Sequence, residues 1–327
     1  MAGIPQVLKI AAFVLLAVLG LVLPLFVYPV FLMKALCFAL FACAFNLLLG
    51  YAGLLSFGHA ALFGGSAYIC AHAAKVWGAP TEIALLAGAV AGAFLGFIYG
   101  VLAVRQRGIY LALITFALAQ MIYFIAVQAP FTGGEDGIQA IPRGKFLGLI
   151  DLMPVRNMYY FVLGVFALAL LLIYRIIHSP FGQVLRAMRD NEQRAISLGY
   201  RVGYYKVIAF TMSGALSGLA GGMKSLVLGI ATLSDVYWHG NGEVIMMTLL
   251  GGLGTFFGPI VGAILVVSIQ NYLAQFGAWV TIIQGLAFVI IVMAFRRGIV
   301  GEVVPVIARL FARAGIARPV RTPERIE

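Results

Sequence analysis

Charged residues divide this chain into long apolar blocks. Residues 10–33, 35–74, 83–104, 108–134 and 244–295 contain no Asp, Glu, Lys or Arg. A membrane-crossing helix needs about 20 apolar residues, so the longest block has room for two full spans or three short ones. The alternating short segments of a β-barrel are absent. The pattern predicts an all-α, polytopic transmembrane helical bundle of about ten membrane segments. They lie near 8–30, 31–50, 54–75, 82–104, 108–128, 157–178, 205–230, 242–257, 258–276 and 279–296. The glycine-rich regions 54–75 and 242–276 are the weakest spans and are open to half-helices.

Composition sharpens this reading. Hydrophobic residues make up 63% of the 327 and charged residues 10%, far below the roughly 25% of a soluble domain. The net charge of +11 marks cytoplasmic loops rather than a nucleic-acid surface. Arg105 and Arg107 mark one inside loop, residues 175–206 a second, and Arg296 onward a basic tail. Even numbers of spans separate the three, which puts all of them, and both termini, on the cytoplasmic side. The loop 129–156 is then outside; its Thr-Gly-Gly and Asp-Gly pairs are turn signals, and Glu135 and Asp136 read as solvated turn acids. The opening apolar segment reads as an uncleaved first span. Cys37, Cys43 and Cys70 read as small core hydrophobes without metal spacing.

Two glycine clusters interrupt the spans, at 48–68 and 249–263. Gly50, Gly53, Gly58, Gly251, Gly254, Gly258 and Pro259 are the predicted breaks, because proline lacks its donor and clashes with the preceding turn. Broken backbone in a membrane belongs where it is buried or lines a watery path. Polar side chains within spans are few. Tyr51, Ser56, His59, Gln120, Lys224 and Glu243 are the candidates for a translocation path, Lys224 and Glu243 as a conceivable pair. A lone buried His more often simply hydrogen-bonds, and Lys224 is also placed to snorkel to an interface. No phosphate-binding loop, H-E-x-x-H or G-x-S-x-G motif occurs, so no catalytic residue, metal or bound cofactor is assigned.

One stretch is charged, "SPFGQVLRAMRDNEQRAISLGYRV" (179–202). Ser179-Pro180 is a helix start, Asn191 a second cap, and Gly199 a stop. Small residues among charges suggest a docking surface for another protein.

Four stretches in order carry a resemblance. "NLLLGYAGLLSFGHAALFGGSAY" (46–68), "TGGEDGI" (132–138), "RAMRDNEQRAISLGYRVGYYKVIAFTMSGALSGLAGG" (186–222) and "MTLLGGLGTFFGPIVGA" (247–263) resemble the permease family of ABC importers for branched-chain amino acids. The resemblance implies an α-helical permease domain over 1–303, with a cytoplasmic coupling segment at 179–206, a periplasmic loop at 129–156 and a basic tail at 304–327. It implies coupling roles for Arg186, Ala187, Arg189, Asn191, Glu192, Ala195 and Gly199. It also implies a second, related permease, two cytoplasmic ATPase subunits that hold ATP and magnesium, a periplasmic binding protein, and a bacterial inner membrane. The family mostly imports leucine, isoleucine and valine; relatives carry urea, short amides or other carboxylates. Two rival readings are a secondary transporter, which wants acids deep in the spans, and a membrane enzyme using His59 as base beside Ser56.

Overall fold

The computed structural model describes residues 20–302 apart from 278, 296 and 297. The helices are α1 (Pro29–Asn46), α2 (His59–Lys75), α3 (Thr81–Ala103), α4 (Ile109–Gln128), α5 (Val155–His178), α6 (Pro180–Asp190), α7 (Glu192–Ser197), α8 (Val202–Leu228), α9 (His239–Gly251), α10 (Gly258–Tyr272) and α11 (Trp279–Ala294). α1 starts on Pro29, whose missing N–H costs nothing in a first turn, and runs on through a π-helical turn at Leu47–Tyr51. Apart from Lys34 and Asn46 it is apolar all round, as a helix packed on all sides is. Around it pack α5, α8, α9 and α10. α2 and α3 lean on α8, with α4 outside them.

Among the described residues, five stretches are long and apolar enough to cross a membrane: Pro29–Tyr51, Thr81–Ala103, Ile109–Gln128, Val155–His178 and Trp279–Glu302. The predicted segment 54–75 begins later, at His59, because Gly53 takes a φ of +71° and ends the preceding helix. The predicted segments 242–257 and 258–276 are two shorter helices of 13 and 15 residues. At 1.5 Å per residue they measure about 20 and 22 Å, short of the roughly 30 Å hydrocarbon core. They are half-helices joined at a break. Gly258-Pro259 does not kink a helix; it opens α10, where proline fits. Most of the predicted first span and all of the tail 304–327 lie outside the described residues.

Glycine sets the tightest packing. Gly88, Gly92, Gly96 and Gly100 recur every fourth residue on α3 and face Gly214, Gly218 and Phe210 of α8. An added Cβ at Gly92 would collide with the carbonyl of Gly214, and one at Gly214 with the carbonyl of Gly92. In lipid, where no hydrophobic force drives helices together, such close backbone contact holds them.

Among the described residues, the loop between α4 and α5 contains three of the four short strands. β1 (Ile138–Gln139) pairs antiparallel with β4 (Ile230–Ala231) just after α8, and β2 (Lys145–Phe146) with β3 (Ile150–Asp151). Gly133, Gly134 and Gly137 have positive φ in this loop, matching its turn signals.

Candidate functional site

The charged segment folds as two short helices. Ser179 Oγ accepts from the Gly182 N–H at 3.3 Å and caps α6, and Asn191 Oδ1 accepts from the Arg194 N–H at 2.9 Å and caps α7. Gly199, at φ +87°, ends α7. Val184 and Met188 of α6, Ala195 of α7 and Val202 of α8 form a small core of their own. Ala195 therefore packs inward, so it is not part of an outer docking face. Ala187 and Gly199 are exposed, and Ile196 and Leu198 are exposed beside them. These two apolar side chains carry no sequence signal that sets them apart from core residues.

Both arginines of α6 turn toward the chain itself. Arg186 sits 5.5 Å from the centre of the buried Tyr51 ring and donates to the Ile177 carbonyl at 2.9 Å. Arg189 donates through Nη1 to the Gly50 carbonyl at 2.5 Å. Its stem packs on Gly53, where an added Cβ would lie 2.6 Å from Arg189 Cγ. The π-turn that ends α1 is thus held by α6.

The break between α9 and α10 meets the same point. Asn46, the last residue of α1 before the π-turn, donates through Nδ2 to the Thr255 carbonyl at 2.9 Å. Its Oδ1 accepts from the Gly254 N–H at 3.0 Å. One buried amide satisfies both backbone groups of the break. Thr255 closes the turn, donating to the Gly252 carbonyl at 2.7 Å and accepting from the Gly258 N–H at 3.1 Å. Gly252 and Gly254 have φ of +120° and +70°, which side chains with a Cβ rarely adopt. Gly50 lies against Gly254; a Cβ there would come 2.6 Å from the Gly254 nitrogen. Gly251 abuts Gly258 in the same way. The two sequence clusters, far apart in the chain, form one junction with the charged helix.

Glu192 has a different place from an outward docking contact. It bonds the Lys206 ammonium at 2.8 Å and Arg107 Nε at 3.2 Å. Lys206 is only 3% exposed, so Glu192 neutralises a buried charge and ties α7 to α8 and to the turn before α4.

At the other end of α1, about 18 Å from Asn46 by helical rise, a second polar group gathers. Lys224 of α8 is buried and donates to both carboxylate oxygens of Asp235, at 2.7 and 2.5 Å. The same carboxylate accepts from the Thr232 N–H at 3.3 Å. The suggested Lys224–Glu243 pair is not formed: Asp235 on the turn before α9 is nearer, and Glu243 instead accepts from Gln270 of α10 at 2.7 Å. Burial and pairing also remove the snorkelling reading of Lys224. Lys34 of α1 has Glu243, Lys224 and Asp235 as its charged neighbours. Asn46, Lys34, Lys206, Asp235 and Gln270 are the site residues that sequence reasoning missed. Asn46 alone had a signal, as an amide inside an apolar span.

His59 opens α2. Ser213 Oγ donates to the Ala44 carbonyl at 2.6 Å, so its lone pair is left for the His59 Nε2–H at 2.8 Å. The imidazole stands edge-on to Phe45 with ring centres 4.9 Å apart. It is a tie between α1, α2 and α8. Ser56 is engaged elsewhere, by the Gly58 N–H at 3.2 Å. Gln120 is half-buried on α4.

The sequence pattern described as "Branched-chain amino acid transport system / permease component" matches residues 29–293. The chain belongs to this permease family. It is 26% identical to the high-affinity branched-chain amino acid transport system permease protein LivM of Escherichia coli (strain K12), over 77% of this chain and 64% of the relative. It is 28% identical to the autoinducer 2 import system permease protein LsrC of Salmonella paratyphi B, over 60% of this chain and 57% of the relative. The ribose import permease protein RbsC of Bacillus subtilis is 26% identical, over 55% of this chain and 58% of the relative. The chain thus spans less than two thirds of the length of these relatives. No solved structure matches it. Permeases of this family are transport subunits rather than enzymes, and with its apolar helices the chain is a multi-pass membrane protein.

Proposed function

We propose that this permease is the membrane subunit of an ATP-driven ABC importer, with hydrolysis on partner subunits. One observation carries the reading: the charged α6 holds, through Arg189, the same junction at which Asn46 joins α1 to the α9–α10 break. A push on α6–α7 reaches both broken elements directly. Two cytoplasmic ATP-binding subunits would supply that push against Ala187, Ile196 and Leu198. A second, related permease would complete the path, and a periplasmic binding protein would feed it. About ten membrane segments, with both termini cytoplasmic in a bacterial inner membrane, belong to this reading, supported by the five long apolar helices and the cationic stretches 105–107 and 175–206.

The cargo is proposed to be branched-chain amino acids or a related small amide or carboxylate. Lys34, Lys224, Asp235 and Glu243 bring both signs of charge near the end of the path remote from α6. That suits a molecule with an ammonium and a carboxylate better than an uncharged sugar. The test is mild purification from the native membrane with mass spectrometry of companions, followed by reconstitution. A P-loop ATPase and a second permease should copurify, and uptake of labelled leucine should require ATP. A chain that arrives alone and moves solute without ATP contradicts the proposal.

A further inference from the structure

An apolar cavity of about 400 Å³ opens between the non-helical stretch after α1 and the start of α4. Gly53, Leu54 and Phe57 line one side, and Gly108, Ile109 and Ala112 the other. An apolar slot that opens at the protein surface suits an apolar guest. Each rim carries an arginine, but only the one beside Gly108 keeps cationic charge free, since Arg189 on the other is paired with Asp190 at 3.4 Å. Arg107 is the chain neighbour of Gly108 and Arg105 stands two residues before it. On the opposite rim the stem of Arg189 packs on Gly53. The side chains of Arg107 and Arg189 are 51% and 43% exposed. Arg107 gives its Nε to Glu192 and keeps the rest of its guanidinium; Arg105 is exposed and has no carboxylate within ion-pair distance among the described residues. Ile109 and Tyr110 are exposed beside the mouth, and a tyrosine on an apolar surface marks the depth of lipid headgroups. An apolar slot, a cationic rim and an interfacial tyrosine share one place.

We infer that this cavity holds an acyl chain of an anionic phospholipid whose phosphate rests on Arg105 and Arg107. Charge complementarity selects that occupant over a neutral lipid, because each basic residue near a membrane surface favours anionic headgroups. The lipid would lie against Gly53, and so against the Arg189 contact that links α6 to α1. The inference rests on the membrane placement proposed above, and its test reads lipid binding, not transport, so the two fail separately.

The purified complex is exchanged into nanodiscs of equimolar phosphatidylglycerol and phosphatidylcholine, recovered in mild detergent, and weighed by native mass spectrometry. Phosphatidylglycerol should be retained over phosphatidylcholine, and Arg105→Ala should lower its retention about fivefold. Arg105→Lys should keep it. Ile109→Trp, which fills the mouth from an exposed position, should lower retention with the charge intact. Equal retention of the two lipids, or wild-type retention by both Arg105→Ala and Ile109→Trp, overturns the inference. So does a photo-crosslinker at position 109 that captures a protein chain and no lipid: the occupant is then a protein partner.

Discussion

Asn46 carries more of the junction than its single side chain suggests. Its amide answers one donor and one acceptor of a break that has no helix to satisfy them. Each buried group left unpaired costs about 1–3 kcal/mol, so Asn46→Ala should destabilise the chain by a few kcal/mol and lower its melting temperature in detergent. Glu192 invites a sharper test. Removing it leaves Lys206 buried and unpaired, which costs about 3–5 kcal/mol. Replacing both with apolar residues removes that cost, so Glu192→Leu with Lys206→Met should recover most of the stability lost by Glu192→Leu alone. No recovery in thermal melts would mean that the pair is not what holds α7. Likewise Lys224→Ala should strip uptake by stranding Asp235, and Asp235→Ala combined with it should restore folding but not uptake.

At the scale of elements, the sequence announced its starts and stops well and its contacts poorly. Ser179, Asn191 and Gly199 act where local chemistry put them, because capping is decided within a few residues. The breaks at Gly53 and at Gly251–Gly258 were legible for the same reason. The partners of Lys224, Glu243 and Glu192 were not, since those lie 11 to 85 residues away and are chosen by packing. The four-residue repeat of glycines on α3 was there to be read, yet only the facing glycines of α8 give it meaning. Gly92→Leu should separate α3 from α8, because its side chain has only the Gly214 carbonyl to enter. Overpacking of this kind costs about 1–3 kcal/mol or more. Size-exclusion profiles should show loss of the monodisperse peak for Gly92→Leu and retention for Gly65→Ala, where the added Cβ meets only ordinary contacts at 3.4 Å.

In the whole molecule, α1 is the element that joins two ends. Its π-turn meets the charged α6, Asn46 meets the α9–α10 break, and Lys34 reaches the remote charged group. The half-helices α9 and α10 make the same journey, from Glu243 and Gln270 to the break at Asn46. A displacement of α6 therefore has two routes to the far end, one along α1 from the Arg189–Gly50 contact and one along α9 and α10 through the Asn46 amide. That amide is buried, out of reach of any docking protein, so a variant there leaves ATPase contacts in place. The measurement to make is leucine taken up per ATP hydrolysed by proteoliposomes of the complete transporter carrying Asn46→Ala. Coupling through the junction predicts ATP hydrolysis within about twofold of wild type and uptake per ATP lower by about tenfold. An unchanged ratio of uptake to hydrolysis would contradict the account.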